Sequence, residues 1–161
     1  IQNVIKIAKE KDIPTAVDPK KENFLSYRGV SLFKPNLKEL KEGLNLNFDF
    51  NSNKELFEKG IEVLEEKLQN EISFVTLSEN GVFIKNKTEN YYVPAHVRSI
   101  SDVSGAGDTV IAVATLCLIS GASTKQIAEI SNLAGGLVCE KSGVVSISKD
   151  ELLKEVSELL S

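Results

Sequence analysis

The chain has 161 residues, of which 42% are hydrophobic and 26% charged, and its net charge is −4. These values fit one globular domain with its own core, and exclude a disordered tail, a collagen-like fibre and a disulfide miniprotein. The acidic balance argues against a nucleic-acid binder, and no run approaches the roughly 18 apolar residues of a membrane helix.

Ile1, Val4, Ile5 and Ala8 recur at helical spacing and predict an amphipathic first helix. Ile13 to Val17 is a short apolar run that ends in Asp18-Pro19, the pattern of a buried strand with an acid at its C-terminal end. Lys20 to Gly29 reads as a loop with one helical turn. Val30 to Phe33 predicts a second strand, stopped by Lys34-Pro35-Asn36. Asn36 can cap a helix over Leu37–Gly43, with Glu39 placed for a capping box. Ser52 is the expected cap of a long helix from Asn53 to Gln69. Glu71 to Leu77 predicts a central strand, and 81–85 with 90–93 a hairpin-like pair. Ala95 to Ser101 reads as extended. A glycine-rich turn, 104–108, then leads into an apolar helix over Thr109–Ile119, expected to be central and buried. Ser123 caps a helix over Lys125–Glu140, and Ser148 one over Lys149–Leu160. Strands alternating with helices predict an α/β fold with a mostly parallel sheet between two helical layers.

Cys117 and Cys139 lie in apolar helical stretches and read as two buried thiols of a cytoplasmic protein. There is no Cys/His cluster of transition-metal spacing, and the lone His96 receives no role. The chain contains no methionine and Ile1 falls within a helical pattern, which predicts a piece of a longer protein. No basic-then-apolar leader is visible at its start.

The most informative stretch is Asp102-Val103-Ser104-Gly105-Ala106-Gly107-Asp108-Thr109. Small residues leave backbone N–H groups uncovered where a helix begins, and such a point holds anions. Asp108 can be a dipole-complementing acid of the first turn or a general base beside a phosphate. Phosphoryl transfer makes the second reading coherent, because a loose transition state needs no strong base. The P-loop, the dinucleotide G-x-G-x-x-G and the protein-kinase motif set are absent.

This stretch resembles the C-terminal signature of the ribokinase-like (PfkB-type) carbohydrate kinases. Pro35-Asn36-Leu37-Lys38-Glu39-Leu40 is similar to that family's N-x-x-E motif. Phe74 to Val82 is similar to its strand–turn–strand nucleotide segment, and Asn132 to Gly136 with Lys141-Ser142-Gly143 to its late adenine-side helix and loop. Val17-Asp18-Pro19-Lys20, Tyr27-Arg28-Gly29 and Lys34-Pro35-Asn36 further resemble the heptose-phosphate kinases of lipopolysaccharide precursor synthesis. Lys21 and Lys34 depart from that subgroup, which often has Gly and Thr there.

The resemblance implies a three-layer ribokinase-like fold, present as the C-terminal, nucleotide-binding half of one kinase domain. The N-terminal half and its β-sheet lid would be absent, and with them an active fragment. It implies ATP-dependent phosphorylation of a sugar phosphate, D-glycero-D-manno-heptose 7-phosphate at C1. Other sugars or nucleosides of the same family are the alternative, as is a nucleotide-binding module without catalysis. Asp108 would be the base, and Gly105, Ala106 and Gly107 the anion hole. Lys20, Asn36, Leu37, Lys38, Glu39, Thr76, Ser78, Glu79, Gly81 and Asn132 would surround the nucleotide. Glu39 would place Mg²⁺ through water, and Asp102 would belong to a monovalent-cation (K⁺) site found in some relatives. No nucleic-acid or membrane partner is implied. Relatives form homodimers through the lid and are often fused to a nucleotidyltransferase domain.

Overall fold

A computed structural model describes residues 1–96 and 100–159. Five strands form one sheet in the order β1 (Ala16–Val17), β2 (Leu32–Phe33), β3 (Ile72–Thr76), β4 (Val82–Lys85) and β5 (Asn90–Val93). The pairings β1–β2 and β2–β3 are parallel, whereas β3–β4 and β4–β5 are antiparallel. The sheet is therefore mixed, with its parallel half at the β1 edge. Strands β1 and β2 are shorter than their apolar runs predict, because only two residues of each enter the ladder.

Residues alternate between the two faces of the sheet. Phe33, Val75 and Phe83 enter a core with α1 (Gln2–Glu10), α2 (Leu37–Gly43) and α3 (Lys54–Leu68). Leu32, Phe74, Val82 and Ile84 enter a second core with α4 (Ala106–Ile119) and α5 (Thr124–Cys139). The result is helix, sheet, helix in three layers. The first core is rich in phenylalanine: the Phe57 ring meets those of Phe50 and Phe83 edge-on, each at 5.1 Å between centroids.

Local chemistry accounts for most helix ends. Asn36 and Glu39 form the predicted capping box of α2; Ser123 caps α5 as expected, and Gln126 completes a capping box there that was not predicted. The cap of α3 is Asn53, which accepts the N–H of Leu56, while Ser52 turns back to Asp49 at 3.0 Å. Helix α6 (Lys149–Leu159) is tied to the end of α5 by a 2.6 Å ion pair between Lys141 and Glu151. Residue 160 of its predicted span lies outside the described residues, as do 97–99 of the predicted extended segment.

Helix α4 departs from expectation twice. It begins at Ala106, so Ala106, Gly107 and Asp108 form its first turn. It is also not enclosed: Val110, Val113 and Ala114 are buried, but Leu116 is 60% exposed. Helix α1 likewise buries Ile5 and Ala8 and leaves Val4 68% exposed. Helix α4 packs against β1, the edge strand of the sheet.

Candidate functional site

The parallel strands β1, β2 and β3 place their C-terminal ends side by side, where ligands collect in α/β sheets. Beyond β2 and β3, Asn36 and Thr76 are bridged, and the Thr76 N–H donates to the Pro35 carbonyl at 3.1 Å. Asn36 Oδ1 accepts the Glu39 N–H, and Glu39 Oε2 accepts the Asn36 N–H, both at 2.8 Å. The cap therefore occupies one polar atom of each side chain. Among the described residues, Asn36 Nδ2 and Glu39 Oε1 have no hydrogen bond.

The glycine-rich turn meets the same end of the sheet. Gly105 caps α4 in the left-handed conformation, φ 81°, and offers no side chain to the first N–H groups. The Ala106 N–H is spent within the turn, on the Val103 carbonyl at 3.3 Å. Of the residues expected to form the anion hole, Gly105 and Gly107 are thus left with an N–H that no described residue accepts, and Asp108 adds its own. Asp108 is the third residue of α4 and is exposed. Its carboxylate has no hydrogen-bond or ion-pair partner among the described residues.

Asp102 braces this turn. Its Oδ1 accepts the Ser104 N–H at 2.9 Å and its Oδ2 the Gly143 N–H at 3.1 Å. These bonds, that of Ser104 foremost, hold its carboxyl below the ordinary aspartate range. The Ser101 and Ser142 hydroxyls lie 2.9 Å apart and close the same loop pair. Sequence reasoning named Asp102 and the loop 141–143 separately but not their contact, because contacts between residues 41 apart leave no local pattern.

Below the turn lies an ion pair. Lys34 Nζ stands 3.2 Å from Asp18 Oδ1. Lys34 is 2% exposed, and a Cβ built on Gly107 would lie 3.9 Å from its Nζ. Sequence reasoning singled out neither residue for the site. The available signal was parity: Ala16 pairs with Leu32 and Val17 with Phe33, so Asp18 and Lys34 are the next pair on the α4 side.

The other expected site residues are distributed as follows. Leu37 packs on the phenylalanine-rich core, and Lys38 is exposed with Glu42 at 4.0 Å. Lys20 is exposed just after the β1 end. Ser78 and Glu79 are exposed in a short turn, with Ser78 in the left-handed region at φ 54°. Gly81 is required by packing: its φ is 84°, and a Cβ there would strike the Val93 carbonyl oxygen. Asn132 donates to the Pro94 carbonyl at 2.8 Å, which ties α5 to the end of β5. Gly135 lets α4 approach α5, since a Cβ there would lie 2.7 Å from Val110 Cγ2. Cys117 and Cys139 are free, half-buried thiols, and burial pushes both upward in pKa. Among the described residues no helix is long and apolar enough to cross a membrane, and no group of three His, Cys, Asp or Glu could hold a metal.

This arrangement can bind an anion beside an unengaged carboxylate, the requirement for phosphoryl transfer to a hydroxyl. Comparison with known proteins agrees. The bifunctional protein HldE of Hahella chejuensis is 37% identical over 158 residues, which is 98% of this chain and 32% of that protein. HldE of Campylobacter jejuni subsp. doylei is 41% identical over 149 residues, 92% of this chain and 32% of that protein. The chain thus spans about a third of these relatives. Phosphofructokinase-2 from Escherichia coli, solved in complex with potassium, superposes with a TM-score of 0.87 at 22% identity, covering 99% of this chain and 52% of that one. Ribokinase from Thermotoga maritima superposes with a TM-score of 0.76 at 20% identity, covering 96% and 52%. These two establish the ribokinase-like fold, of which the chain forms about half. Residues 1–151 match the family described as pfkB family carbohydrate kinase, and it is to this family that the chain belongs.

Proposed function

We propose that the protein carrying this chain transfers the γ-phosphoryl group of ATP to the C1 hydroxyl of D-glycero-D-manno-heptose 7-phosphate, in the cytoplasm, for lipopolysaccharide core precursor synthesis. One observation carries the catalytic reading: the exposed Asp108 carboxylate, unengaged among the described residues, in the uncapped first turn of α4. The heptose substrate is supported by the 37–41% identity to HldE proteins. Their description as bifunctional supports a second activity on the same polypeptide, which we take to be a nucleotidyltransferase. A homodimer built through a lid outside this chain belongs to the same reading.

Asp108 takes the proton of the sugar hydroxyl as its oxygen attacks the γ-phosphorus. The bond from phosphorus to the ADP oxygen breaks, and ADP leaves with the electron pair. The Gly107 and Asp108 N–H groups, aided by the positive end of α4, hold the phosphoryl oxygens. Mg²⁺, when bound, neutralises phosphate charge. Glu39 Oε1, left unengaged by the cap, suits a water-mediated contact to that ion, which retains much of its hydration, whereas the unengaged Asn36 Nδ2 is a donor and suits a phosphate oxygen. Lys20, Thr76, Ser78 and Glu79 surround the nucleotide in this reading, and Asp102 lies by a potassium ion.

The test is ADP release by the complete protein with MgATP and a panel of sugars headed by the heptose phosphate. Turnover specific to that sugar, reduced about 10²–10⁴-fold in Asp108→Asn, is the expected result. Turnover with another sugar discards the substrate and keeps the mechanism. ATP binding without turnover on any sugar overturns both.

A further inference from the structure

Strands β1 and β2 run parallel, with Ala16 opposite Leu32 and Val17 opposite Phe33. Ala16 and Leu32 face the α4 side, Val17 and Phe33 the opposite core. The next pair in this alternation, Asp18 and Lys34, therefore turns towards α4 just where the helix begins. The observed contacts agree: Lys34 Nζ is 3.2 Å from Asp18 Oδ1 and 3.9 Å from the position of a Gly107 Cβ.

This placement is costly in the absence of a ligand. A lysine is almost never fully buried, and removing an ion pair from water rarely gains stability. Here the buried ammonium also faces a helix N-terminus, which carries its own partial positive charge. Gly105 gives that end no side-chain cap. Asp18 is a single counter-charge, itself 22% exposed, whereas an ammonium has three donors. Two positive features this close together gain most from an anion that contacts both.

We propose that Lys34 is the cationic floor of the anion turn: its ammonium contacts the phosphoryl group that the Gly107 and Asp108 N–H groups approach, and Asp18 is its positioning residue. This rests on the phosphoryl-transfer reading above and adds a charge to it. The charge is realised most fully when negative charge shifts during transfer, so it acts on turnover more than on nucleotide affinity.

The experiment compares Lys34→Met and the double variant Asp18→Asn/Lys34→Met with wild type, in the complete protein. The double variant removes both charges together, so it stays informative if the lone Asp18 of the single variant prevents folding. Two quantities are read: turnover with MgATP and the sugar panel, and the affinity for fluoroaluminate in the presence of MgADP. Expected are a fall in kcat of about 10²-fold with the KM for ATP within three-fold, and a matching loss of fluoroaluminate affinity with MgADP binding unchanged. Lys34→Arg recovers part of both. If the double variant turns over within three-fold of wild type, Lys34 has no such role, although the kinase reading stands. If wild type lacks turnover on every sugar yet binds fluoroaluminate with MgADP through Lys34, the kinase reading fails and the anion site stands. If wild type does neither, both fall.

Discussion

Asp102 and Gly143 join two loops that are 41 residues apart, through a carboxylate that accepts the Gly143 N–H at 3.1 Å while its other oxygen holds Ser104. The bond fixes the glycine-rich turn against the segment after α5. A carboxyl whose pKa is depressed on folding contributes stability above its ordinary value and loses it as pH falls through the folded value. The ordinary value is 3.8, and that of Asp102 lies below it. Followed by NMR from pH 7 downward, the Ser104 and Gly143 amide signals are expected to titrate together with a midpoint under 3.8. A midpoint at or above that value removes the clamp.

Glycines with positive φ separate strain from collision. Gly29 and Gly81 have φ of 81° and 84°, but a Cβ on Gly29 meets nothing within 4 Å, whereas one on Gly81 strikes the backbone of residues 93–95. Gly29→Ala is expected to cost about 1–2 kcal/mol, the left-handed penalty alone. Gly81→Ala adds overpacking against a strand and is expected to cost about 3 kcal/mol or more. Denaturant midpoints measure both, and equal losses contradict the packing at Gly81.

Phe57 is fully buried at the centre of the aromatic group formed with Phe50, Phe83 and Tyr92. Phe57→Ala leaves a cavity between α3 and β4 and removes two edge-on ring contacts. The expected destabilisation is about 3–5 kcal/mol by chemical denaturation. A loss under about 1 kcal/mol would mean that this side of the sheet is not packed as described.

The sequence analysis reached the layers, the helices and the glycine-rich turn because each leaves a local trace. Apolar spacing marks α3 and α5, a capping box marks α2, and Gly105 with Gly107 marks the start of α4. What it missed is not local. The exposure of Leu116 depends on where the sheet ends, since a helix apolar on every side still needs a neighbour on every side. Ser52 loses the capping of α3 to Asn53 because Asp49 offers its hydroxyl a carboxylate. The reason no side chain fits at Gly81, the close approach of the Val93 carbonyl, comes from a strand twelve residues on and leaves no local trace. The nearness of Lys34 to Gly107 comes from strand parity combined with the position of α4, and neither alone predicts it.

The Asp18–Lys34 pair has a consequence for folding as well. Strand β2 shares only two residues with each neighbour, Leu32 and Phe33, so its backbone ladder is a weak ruler. Sliding β2 by one residue would exchange its faces. The Phe33 ring would leave its partner Phe24, 5.2 Å away, and the ammonium of Lys34 would be driven among the phenylalanines without a counter-charge. Burying an unpaired ammonium costs several kcal/mol, about as much as a small domain has to spare. One lysine thus rejects the misaligned sheet, and the register of β2 is set by a charge as well as by its short ladder.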